Sequence, residues 1–368
     1  MTPNFRATTR TLSTAALIAA AAALPTRAQS DHVGGVRPDG TQSAQNDVLE
    51  NELTPQADQA ITRGLAALVA LQSPEGSWGS QRFPRSVALT SLACLALMAD
   101  GHLPGRGAYG TAVERGLDFI LNNVTETGLI AADTSHGPMY GHGFAALFLG
   151  EIYGMTAGGP DTAQSARLYE ALVKSTRLIM QTQNDEGGWR YNPVPRDADI
   201  SVTICQIMAL RSARNAGLDI SKDTIERAVQ YVRACQNEDG GFRYQLMGGG
   251  SAWPRSAAGV ASLYYAGIYR DDALERGLSY LNTRAMPGRG FGIGSHYFYG
   301  HYYAVQAMYL AGGDYWATWW PAIRDELIST QNAADGTWED GYAGDAYGTA
   351  MALIILQMPK RYLPIFQR

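Results

Sequence analysis

Three kinds of polar side chain, each present in two matching places, are the residues of this sequence best suited by type and spacing to chemistry. A carboxyl or imidazole group can transfer a proton, and a guanidinium can hold an anion. The matching segments are Pro-Arg-Ser, Ser-His to Gly-His, and a short acidic stretch. Their key residues are Arg85 and Arg255, His142 and His301, and Asp197 with Asp199 matched more loosely by Asp345. The sequence therefore has two halves that repeat arginine, histidine and aspartate in the same order.

Histidine is concentrated in the second kind of segment. Four of the six histidines lie there, His136 and His142 in one copy and His296 and His301 in the other. These spacings would suit a pair of metal ligands, but no third thiolate or carboxylate is fixed beside them. We therefore predict no metal and no other cofactor. Two interpretations stay open for His142 and His301: a functional group, or a buried histidine held by hydrogen bonds.

The helices that must position these residues repeat about every fifty positions. One helix of each unit is amphipathic, as at 113–117 and 274–278, and should face solvent. The second helix is apolar or small on all sides, as at 86–98 and 256–268, so it must be buried. The polar segments lie where the buried helices begin. Asp199 would also be favoured there as an N-cap, without any ligand.

Six such helix pairs predict an all-α fold, a single α6/α6 toroid in which charged helices surround apolar ones. An open solenoid would need polar capping repeats at its ends. In a closed ring the inner helices run parallel, so their starts should meet around one mouth of a central cavity. We therefore expect Arg85, His142, Asp199 and their copies to surround one concave site.

A glutamine, a glycine and an aromatic residue recur in the loops between paired helices. The copies span 72–78, 183–189, 236–242 and, with one additional residue, 331–338. The pattern resembles the Q-x3-G-x-W/F repeat of the squalene cyclase and protein prenyltransferase superfamily, and the resemblance extends over residues 54–359. It implies the same α/α toroid. The motif itself predicts a structural role, because glutamine can bond helix-end carbonyls, glycine frees the backbone and the aromatic ring plugs the next hairpin.

Two site motifs of that superfamily can be compared with this chain. In squalene-hopene cyclases a D-x-D-D motif protonates an alkene, and segment 197–200 resembles it with Asp199 in the donor's place and Ile200 in place of the last acid. In protein prenyltransferases a zinc site uses Asp, Cys and His. The similar positions here are Asp197, Asp199 and His301, so a carboxylate replaces the thiolate. The resemblance implies an isoprenoid ligand and makes Asp199 the candidate acid, while catalysis stays open.

The leading hypothesis is an isoprenoid-binding or isoprenoid-transforming protein. The candidate catalytic residues are Asp199, Asp197, His301 and His142. The candidate substrate-binding residues are aromatic walls that could stabilise a cation, and polar groups of the mouth. They are Tyr140, Tyr299, Tyr302, Tyr347, Trp253, Arg85, Arg255 and Asp345. Two alternatives stay open: a non-catalytic extracellular scaffold that binds a protein or glycan, and a polysaccharide lyase or hydrolase on the same ring.

The N-terminal region predicts export. Residues 1–28 combine basic residues, an Ala-rich run and a small-x-small site, which is typical of a secretory signal. Residues 29–53 are polar without an apolar period and should form a flexible linker. The toroid should then occupy 54–368, starting at Thr54-Pro55 as N-cap and first helical residue. No later stretch is long and apolar enough to span a bilayer, so we expect a secreted or periplasmic protein, with a retained anchor as the alternative.

Charge and cysteine content limit the partners. The formal net charge of −5 disfavours nucleic acid as a partner. The three cysteines are an odd number and lie far apart, which does not suit a disulfide framework. We expect each of them to be a buried small apolar residue.

Overall fold

The computed structural model describes residues 52–132, 137–156, 163–288 and 296–367, all of which belong to one compact unit. Twelve α-helices make up most of these residues, and two 3-10 helices, Met358–Lys360 and Pro364–Phe366, follow the last of them. Strand-like pairing among the described residues is limited to isolated β-bridges. In chain order the helices are α1 (Pro55–Ala70), α2 (Val87–Met98), α3 (Gly110–Asn122), α4 (Met139–Thr156), α5 (Ala163–Gln181), α6 (Ile200–Asn215), α7 (Lys222–Ala234), α8 (Trp253–Tyr265), α9 (Asp272–Arg284), α10 (Tyr297–Ala311), α11 (Gly313–Thr330) and α12 (Asp345–Leu356).

The even-numbered helices form a closed inner ring. Each packs against the next even-numbered helix, and α12 packs against α2. The odd-numbered helices lie outside and pack on the inner ones, with α1 contacting chiefly α12. The prediction of an all-α toroid is therefore confirmed.

The burial of side chains agrees with the two kinds of helix predicted from the sequence, one apolar on all sides and one amphipathic. Every residue of α2 is buried except Ala88, whereas α7 buries only one face. In α12 the exceptions are Asp345 and Tyr347 in its first turn. Helices that are apolar on all sides thus occupy the inner ring, as the hydrophobic effect requires. The predicted start of α1 is also found, because the Thr54 hydroxyl accepts from the Ala57 N–H at 3.2 Å and Pro55 is the first helical residue.

The glutamine and tryptophan of the loop motif join three helices and the loop. In the third repeat, Gln183 Nε2 donates to the carbonyl of Gly187 at 2.8 Å and to that of Thr224, in the next outer helix, at 2.9 Å. Trp189 Nε1 donates to the carbonyl of Ile179 in α5 at 2.7 Å. The backbone N–H of Trp189 donates to Thr203 Oγ1 in α6 at 3.1 Å. The predicted structural role of the motif is thus visible in its bonds.

The same bonds close the ring. In the last repeat, Gln331 Nε2 donates to the carbonyl of Gly336 at 2.8 Å and to that of Ala60 in α1 at 2.9 Å. The Trp338 N–H donates to Thr349 Oγ1 at 3.0 Å. The joint between the last and first repeats is therefore built like the joints between neighbours in the chain.

The motif glycine has a backbone that other residues rarely adopt. Gly187 has φ 95°, and a Cβ there would lie 2.3 Å from the carbonyl oxygen of Arg227 in α7. Any side chain would force the loop away from the next outer helix, so both the torsion angle and the close approach require glycine.

The C-terminal segment crosses the opposite end of the inner ring and is held by a buried carboxylate. Glu151 of α4 is 1% exposed and accepts from Ser212 Oγ of α6 at 2.6 Å and from the Ile365 N–H at 2.9 Å. Ile365 and Phe366 are buried beside α4 and α6. Burial raises the pKa of Glu151 to about 7, against the opposing effect of these two hydrogen bonds.

Glu151 should make the protein less stable as the pH rises. An unfolded glutamate ionises near its ordinary pKa of 4.5 and the folded one near 7, so the folded state binds more protons between these values. The contribution of Glu151 to the free energy of unfolding is therefore complete below pH 4.5 and is lost by pH 7. The change over this range is roughly 3 kcal/mol. We expect Glu151→Gln to remove this slope. Urea unfolding of both proteins from pH 4.5 to 8 measures it, and the difference between them separates Glu151 from other groups that titrate in this range. Parallel curves would contradict the prediction.

The predictions for the cysteines, the N-terminal region and membrane spans can now be compared with the structure. Cys94, Cys205 and Cys235 are buried free cysteines, as expected. The proposed signal at 1–28 and nearly all of the linker at 29–53 lie outside the described residues. Among the helices that the structure describes, none has the length and apolarity to cross a membrane.

Candidate functional site

The inner ring surrounds a cavity of about 560 Å³ at the end where the inner helices begin. The first residues of α2, α4, α10 and α12 line it, together with the loops that precede α6 and α12. Its wall is mostly apolar, with Val87, Leu92, Ile130 and Phe144 among the lining residues. The expectation that helix starts share one cavity therefore holds for these elements, whereas α8 contributes no described lining residue.

Tyrosine is the characteristic polar residue of the cavity. Its described lining includes five tyrosines, which are Tyr140, Tyr191, Tyr299, Tyr342 and Tyr347. Tyr140 and Tyr191 pack with ring centroids 5.9 Å apart. Burial raises the pKa of Tyr140, Tyr299 and Tyr347 well above the ordinary value, so these phenols are neutral O–H groups at physiological pH. Three of the predicted substrate-binding residues, Tyr140, Tyr299 and Tyr347, thus lie in one cavity.

Asp199 is buried beneath these tyrosines rather than in the lining. One carboxylate oxygen caps α6, accepting from the N–H groups of Ser201 and Val202 at 2.9 Å each. The other oxygen lies 3.7 Å from Arg190 Nε, and the hydroxyl of Tyr244 is near enough to favour the ionised carboxyl. Burial raises the pKa of Asp199 to about 6, against the effect of the capping bonds and Arg190. Its charge is felt by Tyr140 and Tyr299, whose pKa values it helps to raise.

Arg190 connects Asp199 to the cavity wall. Its guanidinium pairs with the exposed Asp197 and lies over the rings of Tyr191 and Tyr244, 5.2 and 5.8 Å from their centroids. The hydroxyls of Tyr191 and Tyr244 are hydrogen-bonded to each other. Asp197 therefore acts here as a partner of Arg190 at the surface.

His142 lies on the side of α4 that faces the outer layer. Its Nδ1 accepts from the Ile130 N–H at 3.1 Å, and its Nε2 lies 3.2 Å from the carbonyl oxygen of Ser175 in α5, to which it can donate. Burial lowers the pKa of His142 to about 4, so the ring is neutral. Of the two interpretations left open by the sequence, these bonds favour the structural one.

His301 occupies the equivalent place in α10. Its ring packs among those of Trp253, Tyr297 and Trp319, with centroids 4.8, 4.5 and 5.9 Å away. Burial lowers the pKa of His301 to about 3. Trp253 therefore lies between the helix layers beside His301, where it does not line the cavity.

The expected rim of alternating arginine, histidine and aspartate is not formed, and this corrects the predicted arrangement of the site. Arg85 is exposed and pairs with Glu75 at 3.3 Å, while Arg255 donates to the carbonyl of Phe242 at 3.1 Å. Asp345 is exposed at the start of α12, and Tyr302 is buried beneath the cavity. These side chains hold loops or fill the core because each helix start turns them away from the cavity. Any role of theirs in chemistry stays a prediction.

Several lining residues were not predicted. Tyr191, Phe83 and Tyr342 reach the cavity from loops. Asp340 is the one carboxylate among the described residues of its lining. Asp340 Oδ1 accepts from the N–H groups of Tyr342 and Ala343 at 3.0 and 2.7 Å. The available signal is the position of Tyr191, two residues after the motif tryptophan and within the loop that leads to inner helix α6.

The histidine pairs do not assemble a metal site in the part of the chain that can be described. His142 and His301 lie in separate hydrogen-bonded or aromatic surroundings, and His296 lines the cavity beside Tyr299, with ring centroids 6.4 Å apart. His136 lies outside the described residues. The described residues contain no group of three or more histidine, cysteine, aspartate or glutamate side chains placed to hold a metal ion.

Comparison with solved structures shows the same fold at low sequence identity. Apo type II terpene cyclase MstE from Scytonema is 15% identical with a TM-score of 0.57, covering 84% of this chain and 100% of that one. MstE with its substrate geranylgeranyl dihydroxybenzoate gives a TM-score of 0.56 at 15% identity, over 84% and 98% of the two chains. The α-1,6-mannanase GH76A of Salegentibacter, an inactive variant with α-1,6-mannotetrose, gives 0.63 at 8% identity, over 83% and 98%.

The likeness to these α/α toroid proteins agrees with the fold implied by the loop motifs. No family model and no curated protein matches the chain. Because terpene cyclase and mannanase share the architecture, the fold alone does not choose between an isoprenoid and a glycan.

Proposed function

We propose that this protein binds an isoprenoid in the cavity at the start of the inner helices. The observation that carries the proposal is the wall itself, about 560 Å³ of space lined by aliphatic side chains and by tyrosines. Pockets of this size and apolar character suit small hydrophobic ligands, with a few polar groups to orient them. The predicted signal at 1–28 leads us to propose in addition that the protein works outside the cytoplasm.

A glycan-cleaving function would need a different set of groups. Glycosidases use two carboxyl groups on either side of the scissile bond, about 5 to 10 Å apart. Among the described residues that line this cavity, Asp340 is the single carboxylate. The lining therefore favours an apolar ligand over a sugar.

Calorimetric titration of the purified protein with farnesol and, separately, with α-1,6-mannotriose tests the proposal. We expect saturable binding of farnesol and none of the trisaccharide. Binding of mannotriose without binding of farnesol would replace the proposal with a glycan-binding function. Absence of both would leave the scaffold hypothesis, which capture of a protein partner would then support.

Within this proposal Asp199 is the candidate acid for a transformation of the bound isoprenoid. Its buried carboxyl keeps its proton to a higher pH than an ordinary aspartate does. Because Asp199 does not line the cavity, the proton would pass through the hydroxyls of Tyr244 and Tyr191, which are bonded to each other and of which Tyr191 lines the cavity.

An acid role for Asp199 predicts a specific pH dependence. The protonated carboxyl is the active form, so the rate of product formation from a polyprene should fall about tenfold per pH unit above pH 6. Asp199→Asn should lower the rate at least about 100-fold. Asparagine is as good an N-cap as aspartate, so stability and ligand affinity should be kept. Product analysis by gas chromatography at pH 5 to 8 measures the rate, and an unchanged rate in the variant would remove Asp199 from the chemistry.

A further inference from the structure

The cavity offers neutral hydroxyl groups for a ligand's polar end. Tyr140 and Tyr347 lie on α4 and α12, on either side of α2, and both line the cavity. Tyr299 donates only a long bond, 3.5 Å, to the carbonyl of Ser201. Because burial raises the pKa values of all three, each remains an O–H that can donate and accept.

The charges of the wall disfavour an anion. Among its described residues there is no lysine or arginine, while Asp340 contributes a carboxylate. Three arginines that precede lining residues have other partners outside the cavity wall or behind it. Arg190 pairs with Asp197 and Arg85 with Glu75, while the exposed Arg82 lies 4.2 Å from the ring centroid of Tyr342. Binding of a diphosphate in proteins ordinarily depends on several cationic side chains or a metal ion.

The positive ends of the inner helices are the one feature of the described wall that would favour an anionic ligand. Helix dipoles favour a negative group near an N-terminus, and four helices begin at this cavity. In α2, however, the Leu89 N–H is already bonded to Ser86 Oγ at 3.2 Å. Partial charges of this kind also act on the oxygen of a neutral hydroxyl, which can accept from an uncapped N–H.

From these observations we infer that the ligand is an isoprenoid alcohol, or an isoprenoid with a similar uncharged hydroxyl head, and that prenyl diphosphates are excluded. The inference rests on the proposed isoprenoid-binding function and specifies its substrate class. The hydroxyl lies among the phenol groups of Tyr140, Tyr299 and Tyr347, which line the same cavity. The isoprenoid chain occupies the apolar wall formed by residues such as Leu92 and Phe144.

Three ligands with the same carbon chain test the proposed isoprenoid binding and the inferred hydroxyl head separately. Calorimetric titration should show that farnesol binds at least about tenfold more tightly than farnesyl diphosphate and at least about threefold more tightly than farnesene. If none of the three binds, the proposed function itself fails. If isoprenoids bind but the diphosphate is equal to or tighter than the alcohol, only the inference fails. Equal affinities of farnesol and farnesene would likewise overturn it, because the head would then contribute nothing.

Variants of the cavity tyrosines test which residues contact the ligand's hydroxyl. Tyr140→Phe with Tyr347→Phe removes two hydroxyls and keeps the rings, so farnesol affinity should fall about threefold to tenfold while farnesene affinity stays unchanged. Tyr169→Phe, at an exposed tyrosine of outer helix α5, is the matched control. Asp340→Asn should raise diphosphate affinity several-fold without changing that of farnesol. A double variant that binds farnesol like the original protein would contradict the assignment.

Discussion

Replacing Trp189 by alanine is expected to destabilise the ring by about 3 to 5 kcal/mol. The side chain is 1% exposed and wedged between α5 and α6, and its indole N–H bonds the carbonyl of Ile179. The substitution leaves a large apolar cavity and removes the shortest hydrogen bond to the carbonyl of Ile179, which then keeps only the 3.3 Å bonds from Thr182. Few single changes in the chain remove as much buried contact.

Urea unfolding followed by circular dichroism measures this loss. Trp189→Phe is the graded control: it keeps most of the buried ring but loses the bond, so we expect about a third to a half of the alanine effect. The fourth repeat already has phenylalanine at this motif position, Phe242, which is 0% exposed. A loss below about 1 kcal/mol for alanine would show that the motif tryptophan does not hold the hairpins together.

Filling the cavity should abolish ligand binding while leaving the fold intact. Ala88 and Ala131 both line it and are half-buried. Changing both to tryptophan would occupy much of the space that the ligand needs, so farnesol affinity should fall at least about 100-fold. Because the new rings enter open space rather than packed core, the free energy of unfolding should change by less than about 1 kcal/mol per site.

The matched control places the same residues where no cavity exists. Ala66 and Ala70 are exposed on α1, and their replacement by tryptophan should leave farnesol affinity unchanged. Titration calorimetry and thermal unfolding on all three proteins give the comparison. Retained farnesol binding in the cavity-filled variant would mean that the ligand binds elsewhere on the molecule.

The ring could be predicted from the sequence because its causes are local and repeated. Helices that are apolar on all sides, such as the one at 86–98, must be inside, and amphipathic ones must cover them. The loop motif then appears at the expected places, with Gln183 and Trp189 joining neighbours as their chemistry suggests. The structure adds Thr203, which accepts from the Trp189 N–H and has counterparts in other repeats.

The cavity was predicted only in part, because a helix start fixes position along the ring axis but not rotation about the helix. Tyr140 lines the cavity and His142, two residues later, faces α5. Two residues turn an α-helix by about 200°, so such neighbours point to opposite sides. The same relation holds between Tyr299 and His301 in the duplicated half. His142 and His301 thus belong to the packing of the two layers, and Tyr140 and Tyr299 belong to the cavity.

The remaining lining residues come from loops, whose paths depend on contacts that no periodicity reveals. Tyr191 is placed by the stacking of Arg190 and by its bond to Tyr244 in the next repeat's loop. Asp340 is placed by its bonds to the turn at 342–343. Such arrangements depend on residues far apart in the chain, so they become visible only in the folded molecule.

The bond from Gln331 to Ala60 has a consequence for how such a protein can change over evolutionary time. In an open array a hairpin can be gained or lost at little cost, since each unit touches only its neighbours. Here the last unit must meet the first, and the angle between successive units fixes how many fit around the circle. Unequal exchange that added or deleted one hairpin would leave a gap or a clash, so variation should be confined to side chains and to the loops at the two ends of the ring.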